Sequence, residues 1–181
     1  MEVGEEKAEQ ILIDSQNRGK EFDAAIEKLV SMGASGIPYI DDYFKGKEIQ
    51  NLQMGFIYIE KEIEVEGELI PYGYKGFIDF ELKSTNELIT TDTKTWTKHK
   101  IDEKGNIRPE WVSGDYYQQV SSYAKALGRS KAMIIGTNGT SFQDFTIYDI
   151  KGFCKDFEKR LLKYITEKKG KYYERNTDKK D

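Results

Sequence analysis

The order of hydrophobic periods along the chain predicts an α/β domain: one central mixed sheet flanked by helices. Three observations carry that expectation. A stretch with helical period comes first, a run of period-two segments follows, and then helix, two strands and helix alternate to the end. The 181 residues suit one domain better than two. With 38% hydrophobic residues, including 9 Phe, 12 Tyr and 2 Trp, they can bury a core, which excludes wholesale disorder.

The elements follow in order. From Arg18, the residues Phe22, Ala25, Ile26, Leu29 and Val30 recur at three- and four-residue steps, and Gly33 with Gly36-Ile37-Pro38 ends that helix. Residues 41–51 are charged and fit either a short helix or a loop. The period then changes to two. Phe56, Tyr58, Ile63 and Val65 predict a first strand, Tyr74 to Leu82 a second and Glu87 to Thr95 a third, with a turn at Asn86. Residues 97–113 form a lysine-rich excursion too long for a tight turn. Asp115 to Leu127 returns to helical spacing with Asp115 as expected N-cap and Gly128 as stop. Lys131–Gly136 and Phe142–Ile150 read as strands, and Phe153, Phe157, Leu161, Tyr164 and Ile165 line a last amphipathic helix. The expected division is an N-terminal segment 1–17, a domain 18–169 and a polar tail 170–181.

Composition narrows the function classes. No apolar run approaches the roughly 20 residues that span a bilayer, and the acidic start MEVGEEKAEQ lacks the order of a signal peptide. A soluble cytoplasmic protein, a monomer without membrane partners, is therefore expected. The single cysteine, Cys154, excludes an internal disulfide framework, a four-cysteine zinc site and an all-cysteine iron–sulfur cluster; on the last helix it reads as a small, partly buried apolar residue. The net charge of −4 hides an asymmetry. Residues 1–93 hold 9 Lys+Arg against 20 Asp+Glu, whereas residues 94–181 hold 19 against 12. A nucleic-acid partner is thus compatible with the acidic total.

Two acidic residues sit where core strands avoid them: Asp79 in Gly76-Phe77-Ile78-Asp79 and Asp92 in Asp92-Thr93-Lys94. Asp92 and Lys94, two apart, emerge on one face of a strand. Two carboxylates and an ammonium at one sheet end suit metal-assisted phosphodiester cleavage. The carboxylates hold a hard cation, which polarises the phosphate and acidifies water, while the lysine orients or deprotonates that water. Taken alone, Asp-x-Lys better suits a surface hairpin with an ion pair. Gln119 and Tyr123, four apart, share a helix face; alone they better suit a half-buried Tyr beside a solvated Gln.

In the order Gly-x-x-Asp, Asp-x-Lys, Gln-x-x-x-Tyr, these motifs resemble the PD-(D/E)XK nuclease superfamily, in its RecB-like exonuclease branch. The resemblance spans roughly residues 18 to 168. Upstream, Arg18-Gly19-Lys20-Glu21-Phe22-Asp23 with Ile26 and Glu27 is similar to the branch's first-helix motif, with Asp23 where most members have a metal-binding histidine. Within the branch, Gly19-Lys20-x-Phe22, Gly76-Phe77-Ile78-Asp79, Asp92-Thr93-Lys94-Thr95, Gln119-Val120-x-x-Tyr123 and Leu161 to Lys169 are most similar to the mitochondrial genome maintenance exonucleases and their phage and bacterial relatives. The resemblance implies a restriction-endonuclease-like core and a metal-dependent DNA exonuclease preferring single-stranded ends. Asp23, Asp79, Asp92 and the Thr93 carbonyl would hold Mg²⁺ or Mn²⁺, Lys94 would position the attacking water, and Gln119 and Tyr123 would support the site and contact the scissile strand. Glu27 is expected to be structural. With no targeting segment recognised, a bacterial or phage-infected cytoplasm is the expected setting. Trp96, Lys98, Lys100 and Arg108 interleave aromatics with cations, a pattern that suits single-stranded DNA; a solvated loop with Trp96 in the core fits equally. His99, the only histidine, is crowded by lysines and makes a poor triad member. The alternatives are a non-catalytic single-strand-binding module on the same fold and a structure- or sequence-specific endonuclease.

Overall fold

In the computed structural model, which describes residues 4–65, 67–96, 102–104, 106 and 112–177, the first helix starts earlier than the hydrophobic stripe that predicts it. Helix α1 runs Glu5–Met32 and ends on Gly33, whose φ of 82° is the left-handed conformation that favours glycine; its N–H reaches the Leu29 carbonyl. Phe22, Ala25 and Ile26 are buried, whereas Val30 is 47% exposed, so the buried stripe is narrower than its sequence pattern. Residues 5–17 are helix as well, with Ile11 and Leu12 exposed. Helix α2 (Pro38–Phe44) follows, with proline in the first turn where its missing N–H has no partner to lose. It resolves part of the ambiguous stretch, and strand β1 (Glu48–Gln50) accounts for more of it.

The expected three-strand run divides differently. Strands β2 (Gly55–Val65) and β3 (Glu68–Phe77) form a separate antiparallel hairpin sheet. The chain then passes through Ile78-Asp79 and begins a new strand, β4 (Phe80–Ser84), in the main sheet. The predicted strand Tyr74 to Leu82 is therefore two strands, and Asp79 lies in the joint rather than within either. Ile78 donates to the Met54 carbonyl and the Asp79 carbonyl accepts from Gln53, so the joint is tied to the entry of β2.

Strand β5 (Glu87–Thr95), helix α3 (Gly114–Ala126), strands β6 (Ala132–Thr137) and β7 (Phe142–Ile147), and helix α4 (Ile150–Thr177) complete the order. Helix α4 continues past residue 170, where the sequence pattern predicts a tail. The main sheet runs β1-β4-β5-β6-β7. Only β5 and β6 pair in parallel, with Asp92 opposite Ile134 and Lys94 opposite Gly136. Helix α3 lies in the connection between them, as a parallel pair requires.

Period two sorts the side chains into two cores. Phe22, Ile26, Ile40, Phe44, Phe80 and Ile135 pack on the face covered by α1 and α2. On the other face Val120, Ala124, Ile134, Phe145, Ile147 and Cys154 pack under α3 and α4. The result is an α/β domain with a mixed five-stranded sheet between helices. The N-cap of α3 is Ser113, whose hydroxyl accepts from the Asp115 N–H. Asp115 instead occupies the first turn, where its charge favours the helix N-terminus.

Candidate active site

Antiparallel pairing between β4 and β5 stops at Phe80 and Thr91, so the last residues of β5 run beyond their neighbour. Asp79 fills that gap. Its Oδ2 accepts from the Thr93 backbone N–H at 2.7 Å and from the Thr93 hydroxyl at 2.6 Å. In a sheet of this kind a residue's N–H and C=O leave the strand on the same side, so the Thr93 carbonyl faces the gap too. Asp79 thus replaces the missing strand neighbour and keeps its second oxygen outside these bonds.

Asp92 and Lys94 stand on the α3 face of β5 and form an ion pair of 2.7 Å, with side chains only 9% and 23% exposed. Burial raises the Asp92 pKa to about 6 against the pull of Lys94, and the charges of Asp79 and Asp23 push it the same way. At Lys94 burial opposes the charge, but the Asp92 carboxylate, Asp79 and Tyr116 together outweigh it and hold the ammonium above its usual pKa. The Lys94 Nζ also lies 4.8 Å from the centre of the Tyr116 ring, a cation–π distance.

Asp23 joins from α1. It borders Phe22 and Ile26 in the buried stripe and lines a narrow crevice with Gln53, Asp79 and Thr93. Desolvation raises its pKa, then the charges of Asp79 and Glu27 raise it further, while Lys94 lowers it. Three carboxylates from three segments therefore sense one another and one ammonium. That is a hard, oxygen-only donor set, with the Thr93 carbonyl beside it, and its mutual repulsion is what a divalent cation would relieve; Mg²⁺ or Mn²⁺ fits such a set. As the side chains stand, Asp92 is engaged with Lys94 and Asp79 with Thr93. Among the described residues no three His, Cys, Asp or Glu side chains are already gathered at coordination spacing.

The two α3 residues bond to each other and pack against the hairpin sheet. Gln119 Nε2 donates to the Tyr123 hydroxyl at 3.0 Å. The Tyr123 ring lies edge-on to Phe56, centroids 5.0 Å apart, and rests against Gly76, where a Cβ would sit 3.2 Å from it. The glycine of Gly-x-x-Asp therefore seats the tyrosine of Gln-x-x-x-Tyr, a contact between motifs that spacing alone could not reveal.

Trp96 is a correction. Its ring is 5% exposed, packs edge-on to Phe145 and occupies the space a side chain at Gly136 would need, so it offers no face to a nucleobase. It belongs to the core. Lys98, Lys100 and Arg108, with His99 and Trp111, lie outside the described residues. Two features carry no motif. Tyr116, in the first turn of α3, is the residue whose ring lies against Lys94. Glu81 is fully buried and bound by Arg129 through two contacts, 2.6 and 3.0 Å, and by Asn51 at 2.5 Å. Its partners come from remote segments, which a single sequence cannot pair.

Fold and site together define the class: an α/β domain with an acidic cluster and a lysine at the end of its central strand. No family model and no curated protein matches the chain. Among solved structures, one described as the crystal structure of SSO0001 is similar, at 17% identity and a TM-score of 0.41, over 81% of this chain and 68% of that one.

Proposed function

We propose that the chain is a metal-dependent DNA exonuclease that hydrolyses phosphodiesters and prefers single-stranded ends. The observation that carries this reading is the convergence of Asp23, Asp79 and Asp92, from a helix, a joint and a strand, around Lys94. Carboxylates repel a phosphate backbone, so their assembly suits a cation better than direct nucleic-acid contact. Asp23, Asp79, Asp92 and the Thr93 carbonyl would hold Mg²⁺ or Mn²⁺, which when bound supplies polarisation of the phosphate and a lowered pKa for water. Lys94 would orient the attacking water through its N–H donors, and the Thr93 bonds would keep the Asp79 carboxylate fixed. Gln119 and Tyr123 would hold the strand beside the cluster.

End-labelled single- and double-stranded oligonucleotides incubated with Mg²⁺, Mn²⁺ or EDTA test this. Stepwise shortening of the single strand with metal, absent in EDTA, is expected. Cleavage of circular single-stranded DNA would instead identify an endonuclease. One observation favours a second reading, a single-strand-binding module without hydrolysis: the carboxylates are engaged by Lys94 and Thr93 rather than gathered at coordination spacing. Metal-independent binding without shortening would select that reading.

A further inference from the structure

Beside the acidic cluster, a pocket of about 580 Å³ opens between β3, α3 and α4. Its walls are aromatic: Tyr74 from β3, Tyr116 from α3, and Phe157 and Tyr164 from α4, with Lys75 and Arg160 at its margin. The Tyr74 hydroxyl donates to the Ser122 carbonyl and its ring meets Phe157 edge-on at 5.0 Å, so this wall is fixed from both sides. Tyr164 is 57% exposed. Arg160 is paired with Asp115, which lines the pocket too, at 2.8 Å.

Three properties identify an occupant. The volume lies in the range of small-molecule sites. Aromatic walls with cations at the margin suit a flat ring on a charged backbone, the pairing by which single strands are held. The pocket also adjoins the cluster, because Tyr116 lines it and its ring centre lies 4.8 Å from the Lys94 Nζ. We propose that this pocket is a stacking slot for an unpaired nucleobase of the strand whose phosphate lies at Lys94. The slot gives the preference for single strands, since a base within a duplex keeps both faces stacked. The proposal rests on the reading of the site as one that acts on DNA.

The test is an anisotropy titration of the full chain in EDTA, using labelled probes of equal phosphate number: an oligothymidylate, an abasic strand and a duplex. The wild type should bind oligothymidylate at least about tenfold more tightly than the abasic strand. Tyr164→Ala should lose about fivefold or more on oligothymidylate, the lower range of base–aromatic stacking, and nothing on the abasic strand; Tyr164→Phe should retain wild-type binding. Leu161→Trp, which fills the pocket from α4, should reproduce the selective loss. Equal wild-type affinity for the two single strands, or equal losses on both in the variants, overturns the slot. Cleavage with Mg²⁺ or Mn²⁺ by the same preparation is scored separately. Base-selective binding without cleavage overturns the hydrolytic reading and keeps the slot, whereas cleavage without base selectivity overturns the slot alone.

Discussion

Asp92 carries the sharpest electrostatic consequence at the scale of single residues. An acid with a raised folded pKa binds its proton more tightly in the folded state. Its contribution therefore favours the fold below about pH 4 and is withdrawn as pH rises from the ordinary 3.8 to about 6. In EDTA, thermal melts of wild type relative to Asp92→Asn should show the wild type losing ground between pH 4.5 and 7. Mg²⁺ or Mn²⁺ should restore it at pH 7, because a cation that binds the folded carboxylates stabilises the fold. A difference independent of pH would mean that Asp92 is not strained. Lys94→Ala should keep the fold and lower turnover by at least about a hundredfold, measured as single-turnover cleavage; near-normal rates would remove Lys94 from the chemistry. Asp23→Ala should weaken metal binding and cleavage together, while Asp23→His should retain cleavage and shift preference toward Mn²⁺. Calorimetric metal titration beside the cleavage assay separates these outcomes.

At the scale of elements, the contacts between motifs matter more than the motifs. Strand β5 carries Asp92, Thr93 and Lys94, but their geometry depends on where β4 stops and on Asp79 filling the vacancy. Strand β6 contributes Gly136, directly opposite Lys94, and through it the position of Trp96. A Cβ at Gly136 would lie 1.5 Å from the Trp96 ring. Gly136→Ala should therefore cost about 1–3 kcal/mol through overpacking, read as a lower denaturation midpoint, and should weaken activity because β5 must shift to relieve the clash. Unchanged midpoint and activity would show that the ring can move away freely.

At the scale of the whole molecule, two cores share one sheet. Adjacent residues of β6 serve opposite faces, Ile134 under α3 and α4 and Ile135 under α1 and α2, so neither core can melt without loosening the other. Tryptophan fluorescence and far-ultraviolet circular dichroism should then report coincident denaturation midpoints. Separated midpoints would mean that the α1–α2 face opens by itself. No helix among the described residues is long and apolar enough to cross a membrane.

The sequence by itself determined the fold class, most element positions and the local geometry of Asp-x-Lys and Gln-x-x-x-Tyr, because periods of two and 3.6 and offsets of two and four are properties of a single segment. Cys154, expected to be partly buried on the last helix, lies fully in the core at 3% exposure. Only the tertiary structure decided that Tyr74 to Leu82 breaks at Ile78-Asp79, because the break reflects a change of sheet rather than a change of hydrophobic pattern. It also decided that Trp96 is core and Tyr116 borders the site, since both are aromatics on amphipathic segments and only the neighbours distinguish a filled space from an open one. The pairing of Gly76 with Tyr123, of Asp79 with Thr93 and of Glu81 with Arg129 belongs to the same class. Each joins residues remote in the chain, and their proximity is fixed by packing that no local period encodes.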